Sequence, residues 1–510
     1  MTAGAPSAGR AMVTVCAMSA TIMQALDTTI ANVALPFMQG SLSASLDQIN
    51  WVLTSYIVAA AIMTAPIGWL AERYGRKRLF VICVAGFTVA SMLCGFAQSI
   101  QQMVMFRLLQ GAFGAALVPL SQAVLLDSYA AHERGSAMAI WGIGVMLGPI
   151  MGPTLGAWLT DNYNWRWVFL INLPIGVMTV IGLLAFMRET QTGDARRFDW
   201  FGFFALAIGI GAMQVMLDRG EHAGWFDSNE IIAESIIAAI GFYFFFAHSL
   251  TTATPFLRFE MFRDRNFVIG CAFMLVIGVV LFATMALVTP YMQNVLGYPI
   301  LTAGMLLAAR GGGTLVSMGM VGRLLAIIEA RHLVLAGLSL TAFTLHQMAG
   351  FTDQTSAMSI VVASVLQGFA LGLVFVPLNT VAFATLPTKL RTEGAAMLTL
   401  ARNIGSSVGI SIVIARLTEG TIQAHARLAE FVTPFNKAMD AAASAPLDAA
   451  TEKGRALMEV LMSQQAAIIS YAEDFRLLMF LVVAAIPLVL ILGSSKVSAT
   501  SDGHVELALD

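Results

Sequence analysis

Charge is scarce in this chain. Of 510 residues only 11% are Asp, Glu, Lys or Arg, while 58% are hydrophobic. A water-soluble domain carries about 25% charged residues, so a fold bathed in water is ruled out and an all-α polytopic membrane protein is expected. Cysteine is scarce too. Cys16, Cys83, Cys94 and Cys271 all sit inside apolar runs and none forms a C-x-x-C pair, so they read as small core hydrophobes rather than disulfides or metal ligands. No lysine follows a glycine; the G-x-x-x-x-G-K-[ST] phosphate loop is therefore absent and ATP drive has no support. H-E-x-x-H is missing, G-x-S-x-G occurs once, as "GSSVG" (405–409) within an apolar run, and His248 and His346 stand alone near the ends of apolar runs. The expectation is a transporter rather than an enzyme, with no cofactor and no metal. The first apolar run exceeds a signal-peptide core of about 7–15 residues, so it is read as a retained helix.

Long apolar runs are what the chain has instead. A bilayer core of about 30 Å needs about 20 such residues per helix. Fourteen runs meet that measure: 12–34, 51–71, 79–98, 103–126, 137–159, 167–187, 200–217, 231–248, 267–290, 302–324, 332–350, 359–382, 394–415 and 477–493. With both termini in the cytoplasm, seventeen Lys and Arg fall in inside segments, whereas the short outside loops hold only Arg166 and Arg219. A missed helix in mid-chain would erase that bias, so the positive-inside rule supports the count.

The chain echoes itself. "LQGAFGAALVPL" (109–120) returns as "LQGFALGLVFVPL" (366–378), and "ERGSAMAI" (133–140) as "TEGAAMLT" (392–399). Repeated halves with a site between them near the midplane are a common build for secondary transporters. The expected division is a six-helix bundle over 1–190, two inserted linker helices over 191–266, and a second six-helix bundle over 267–493. The second bundle would carry a long outside loop at 416–476, and 494–510 would form a cytoplasmic tail.

Charges within the spans need a reason, because each costs about 3 kcal/mol at the bilayer centre on insertion scales. Those well inside the spans are Asp27, Arg107, Arg310 and Arg402. At about 1.5 Å per residue, Asp27 and Arg107 come to nearly the same height on helices running in opposite directions. An ion pair there would make both tolerable and leave the acid able to take a proton. The alternative is that Asp27 caps a helix break and Arg107 snorkels outward. Arg310, Arg402 and Gln24 are candidates to line a central cavity. In the fifth run, "GVMLGPIMGPTLG" spaces Gly144, Gly148, Gly152 and Gly156 four apart, with Pro149 and Pro153 between them. That is a side-chain-free helix face with a tendency to bend, and "RGGGTLVSMG" (310–319) is a candidate partner face. The inside loop "GWLAERYGRKR" (68–78) adds Glu72 and Arg73 beside Gly75 to the topogenic charge of Arg76, Lys77 and Arg78.

Taken together, these segments resemble the major facilitator superfamily, in its fourteen-helix drug–proton antiporter branch. "LDTTIANVALP" is similar to that branch's helix 1 motif, "GWLAERYGRKR" to the superfamily's gate motif, "FRLLQGAFGAALVPLSQ" to its helix 4 motif and "GPIMGPTLGAWL" to its helix 5 antiporter motif. "NWRWVFLINLPIG" (164–176) and "LDRGEHAGWFDSNEI" (217–231) are closer still to EmrB-type multidrug exporters of Gram-negative bacteria. The last outside segment, with "AHARLAEFVTPFN" and "SQQAAIISYAEDF", follows the same order. The resemblance spans about 11–493. It implies proton-driven export of small lipophilic drugs across the bacterial inner membrane, powered by the proton gradient and with no nucleic-acid partner. It further implies a periplasmic membrane-fusion (EmrA-type) adaptor, a TolC-type outer-membrane channel and contact with membrane lipid. By the same resemblance Asp27 and Arg107 are the proton-linked pair. Gly68, Glu72, Arg73, Gly75 and Arg76 form the cytoplasmic gate, and Gly144, Gly148, Pro149, Gly152, Pro153 and Gly156 form the hinge of helix 5. Two features depart from the pattern: Glu72 stands where the gate motif usually has Asp, and no copy of the gate motif is visible in the second half.

Overall fold

A computed structural model describes residues 7–130, 133–189, 197–252, 255–433 and 451–492. In chain order the helices are α1 (Ser7–Ser41), α2 (Leu46–Thr64), α3 (Ile67–Tyr74), α4 (Arg76–Phe96), α5 (Ile100–Gly114), α6 (Leu117–Ser128), α7 (Arg134–Asn162), α8 (Trp167–Leu170) and α9 (Asn172–Phe186). They continue with α10 (Trp200–Ala223), α11 (Asn229–Thr251), α12 (Arg265–Pro290), α13 (Ile300–Leu324), α14 (Ala330–Met348), α15 (Ala357–Ala382), α16 (Arg391–Ala429), α17 (Glu452–Ala485) and α18 (Leu488–Ile491). Among the described residues there is no strand. A backbone surrounded by hydrocarbon must satisfy its own polar groups, which a helix does within one segment.

Local sequence sets the helix starts. Ser45 and Gln48 form a reciprocal capping box at α2, and Ser99, Asp199, Asp264, Ser356 and Thr451 cap α5, α10, α12, α15 and α17 with their side chains. Each accepts from an amide that would otherwise lack a partner. Ten helical stretches are long and apolar enough to cross a membrane, or eleven if the bent pair α2–α3 counts as one. The protein is a multi-pass membrane protein. The expected runs 137–159, 302–324 and 332–350 are helical as α7, α13 and α14 but fall outside that set of stretches. Large apolar side chains such as Phe204, Ile208, Ile236, Tyr243 and Phe244 on α10 and α11 face outward, as lipid contact requires.

α1, α2, α4 to α7 and α9 pack among themselves, as do α12 to α17. The two sets meet along α7–α13, α7–α15 and α6–α16, and α10 touches both through α2 and α16. Two sequence expectations need correction. The run 51–71 is two helices bent by 58°, because Pro66 supplies no amide to continue the ladder. The "loop" 68–78 is helical except at Gly75, whose φ of +85° makes the turn between α3 and α4. Within the expected outside loop 416–476, α16 continues to Ala429 and α17 begins at Glu452. A polar helix can extend beyond the apolar span that anchors it, so hydropathy marks where the membrane stops and not where the helix does.

Candidate functional site

α5 reaches α2 closely because Gly111 lies against the Tyr56 carbonyl, where a Cβ would collide. That approach carries Arg107, four residues earlier, between α1 and α2. Arg107 and Asp27 are both 0% exposed. Arg107 Nη1 donates to Asp27 Oδ2 at 2.6 Å and to Gln110 Oε1 at 2.8 Å, and its Nε donates to the Val52 carbonyl at 3.0 Å. Gln110 Nε2 donates to Asp27 Oδ1 at 2.8 Å, closing a ring of three side chains. The guanidinium lies 4.2 Å from the Tyr56 ring centre and 5.6 Å from that of Phe169, positions that favour a cation over a π face. Arg107 Nη2 makes no hydrogen bond among the described residues. α1 runs unbroken past Asp27 to Ser41, so Asp27 caps nothing, and Arg107 is buried rather than snorkelling. A fully desolvated carboxylate held by one guanidinium and one amide is poised to change partners if a proton or a water reaches it.

The glycine face of α7 lies on α1 and not on α13, which corrects the expected partner. Gly144 meets Met18 and Thr21, Gly148 the Ala25 backbone, Gly152 Thr29, and Gly156 Ile30. Thr29 Oγ1 also donates to the Gly148 carbonyl at 3.1 Å. Of the α13 glycines, Gly313 faces the Val365 carbonyl of α15, an added Cβ at Gly312 or Gly319 would meet nothing within 4 Å, and Gly322 lies against Ser136 of α7. α7 stays helical through Pro149 and Pro153, whose side chains lie outside the described residues. The α7 stripe therefore touches α1 on either side of Asp27, coupling any slide of α7 to the ion pair.

The gate residues assemble with partners that sequence reasoning did not find. Arg258 Nη2 donates to both oxygens of Glu72 at 2.7 and 2.6 Å, while its backbone amide donates to Glu393 Oε1 at 2.7 Å. Gly68 lies directly against Glu393, where no other residue type would fit. Arg76 pairs with Asp127, whose other oxygen accepts from Arg391 Nη1 at 2.7 Å. Behind the Gly75 turn, the Lys77 and Arg78 amides donate to Glu189 at 3.1 and 3.2 Å. Arg73 is exposed and has no ion-pair partner among the described residues, so it does not join the cluster. The partners of the expected gate residues are thus Arg391 and Glu393 from the second half, Arg258 from the connecting segment, and Asp127 and Glu189 from the first half. Their shared signal is position: each lies at or just beyond a helix end on one side of the molecule.

Of the cavity candidates, Arg310 is 7% exposed and borders a gap of about 20 Å³ between α7, α12, α13 and α15, with Met146, Met285 and Thr314. Arg402 is 9% exposed and does not border that gap. Neither has an ion-pair partner among the described residues, and the Nε of each lacks a hydrogen bond. Gln24 is half-buried on α1. The repeated "LQG" is structural as well: Gln367 donates to Thr284 Oγ1 at 3.3 Å where Gln110 serves Asp27, and Gln122 donates to Asn379 Oδ1 across the halves at 2.7 Å.

Comparison with known proteins follows the same line. Residues 17–410 match the family model for the Major Facilitator Superfamily. The chain is 37% identical to the multidrug export protein EmrB of Escherichia coli K12 over 432 residues, covering 83% of each chain. It is 33% identical to the fatty acid resistance protein FarB of Neisseria gonorrhoeae over 485 residues, covering 94% of this chain and 96% of that one. Among solved structures, a double-tryptophan variant of XylE overlays with a TM-score of 0.62 at 13% identity, covering 96% of this chain and 97% of that one.

Proposed function

The chain belongs to the major facilitator superfamily of membrane transporters, and from that premise we propose that it is a proton-driven exporter of lipophilic toxic compounds. The observation that carries this reading is the desolvated Asp27–Arg107–Gln110 ring. With the gate locked at one end, Asp27 takes a proton from the opposite side. Neutralising it removes the charge that holds Arg107, which frees α1 to move against the α7 stripe. Opening at the gate end then requires the Glu72–Arg258–Glu393 and Arg76–Asp127–Arg391 contacts to part. Water entering from that end draws the proton off Asp27 as cargo binds between the halves.

The similarity to EmrB and FarB supports export over uptake. We assign the gate end to the cytoplasm, both termini with it, and fourteen spans arranged 6+2+6 in the bacterial inner membrane. The periplasmic membrane-fusion adaptor and TolC-type channel complete the same reading. The unpaired guanidiniums of Arg310 and Arg402 favour weakly acidic lipophiles, because a buried cation without a counter-ion gains most from a ligand that brings one. Resistance confined to permanent cations would remove this preference.

The direct test is drug-induced proton release from purified protein, wild type beside Asp27→Asn. The variant should bind drug yet release no protons. Coupled release at the wild-type level in the variant would take Asp27 out of the mechanism.

A further inference from the structure

At the end of the second helical set opposite the gate, the extended helices do not pack shut. α16, α17 and a π-helical turn at Tyr291–Val295 line an open cavity of about 550 Å³. That volume suits a drug-sized molecule, for which pockets run to about 300–1,000 Å³. π-Helical turns are rare and gather at functional sites, since the extra residue loosens the local hydrogen-bond ladder. Here the turn is tied across the cavity: Gln464 Nε2 of α17 donates to the Val295 carbonyl at 3.2 Å. Tyr471 forms the buried end, its ring set edge-on to Tyr291 with centres 5.5 Å apart.

The chemistry of the wall is selective. Leu417, Val460 and Ala467 give an apolar surface, and Glu459, exposed at the mouth, is the one charged residue among those lining it. His425 Nε2 lies 2.9 Å from Glu459 Oε1. Val460, Gln464, Ala467, Tyr471 and Asp474 recur at three- and four-residue spacing, so they share one face of α17. Asp474, one turn past Tyr471, is 1% exposed. Its Oδ1 is 3.4 Å from Arg416 Nε, and its Oδ2 has no hydrogen-bond partner. An aromatic floor, an acid at the mouth and a half-satisfied acid beneath suit a positive charge on an apolar body.

We propose that this cavity is a second ligand site that takes a lipophilic organic cation, separate from the Asp27 ring and from the gap beside Arg310. The cation's apolar body lies along Leu417, Val460 and Ala467, and its charge sits between Tyr471 and Glu459. Two sources share that chemistry, a soluble drug cation and the ethanolamine headgroup of a lipid.

The test is equilibrium binding of tritiated tetraphenylphosphonium to the full-length protein in phosphatidylglycerol nanodiscs, with no proton gradient. Glu459→Gln should weaken binding about fivefold, the scale of one exposed ionic contact. Ala467→Trp, which fills the cavity, should remove the saturable signal from this site. Gln464→Leu guards against misfolding by the larger side chain and should also weaken binding while eluting as wild type in size exclusion. Asp27→Asn should keep the signal, so loss of transport and loss of this site are read separately. Competition by added phosphatidylethanolamine assigns the site to the lipid amine; lack of competition assigns it to the soluble cation. Wild-type binding in both Glu459→Gln and Ala467→Trp overturns the proposal.

Discussion

At Arg107 three acceptors converge: the Asp27 carboxylate, the Gln110 amide oxygen and the Val52 carbonyl. A guanidinium serves all three because its donors are fixed in a plane, which a lysine ammonium on a flexible stem does not reproduce. Arg107→Lys should therefore keep the charge yet lose coupling, with drug-induced proton release falling well below wild type. Stability responds differently. Asp27→Ala leaves a buried cation unpaired, a change worth about 3–5 kcal/mol in comparable buried pairs. Removing both charges in Asp27→Ala with Arg107→Gln should recover much of that loss in thermal unfolding. Equal destabilisation by the single and double changes would show that the pair contributes packing rather than charge balance.

Among the helices, the contact of α7 with α1 makes the sharpest demand. A Cβ at Gly148 would overlap the Ala25 backbone, which cannot swing aside as a side-chain tip can. Gly148→Ala should cost about 1–3 kcal/mol, the usual penalty of overpacking, seen as a lower melting temperature in detergent. Gly312→Ala should be neutral or slightly stabilising, since nothing lies near it and alanine is the better helix former by about 1 kcal/mol. The two glycines look alike in the sequence, each in a glycine-rich run of an apolar span. Their difference comes from which neighbour the helix turns toward.

Across the whole molecule, the proposed cycle makes the gate contacts set the balance between conformations. Arg258 holds an acid from each half, Glu72 and Glu393, and Asp127 holds Arg76 and Arg391. Arg258→Ala should favour opening at that end, raising the labelling rate of a cysteine introduced at the buried Thr392 by several-fold. An unchanged rate would mean that Arg258 is a surface ion pair without conformational weight. α10 should resist the same motion, because Thr54 of α2 contacts Asp218 while Gln214 donates to Ser407 of α16 at 2.5 Å, tying it to both halves. A disulfide joining cysteines placed at Thr54 and Asp218 should form readily in the resting protein.

The helical class, the approximate positions of the helices and the meeting of Asp27 with Arg107 were legible in the chain, because hydropathy and helical rise are local, additive properties. A 3.6-residue helix turns a residue count into a height, and a lone charge in oil must find a partner at that height. What the residue order left open were matters of azimuth and distance. The α7 stripe's choice of α1 over α13, the second side of the gate and the cavity beside Tyr471 all depend on how helices rotate about their axes. They depend equally on which ends meet across hundreds of residues. Those choices are made by close packing of the assembled bundle, where each helix settles against all its neighbours at once, and no single segment carries that information.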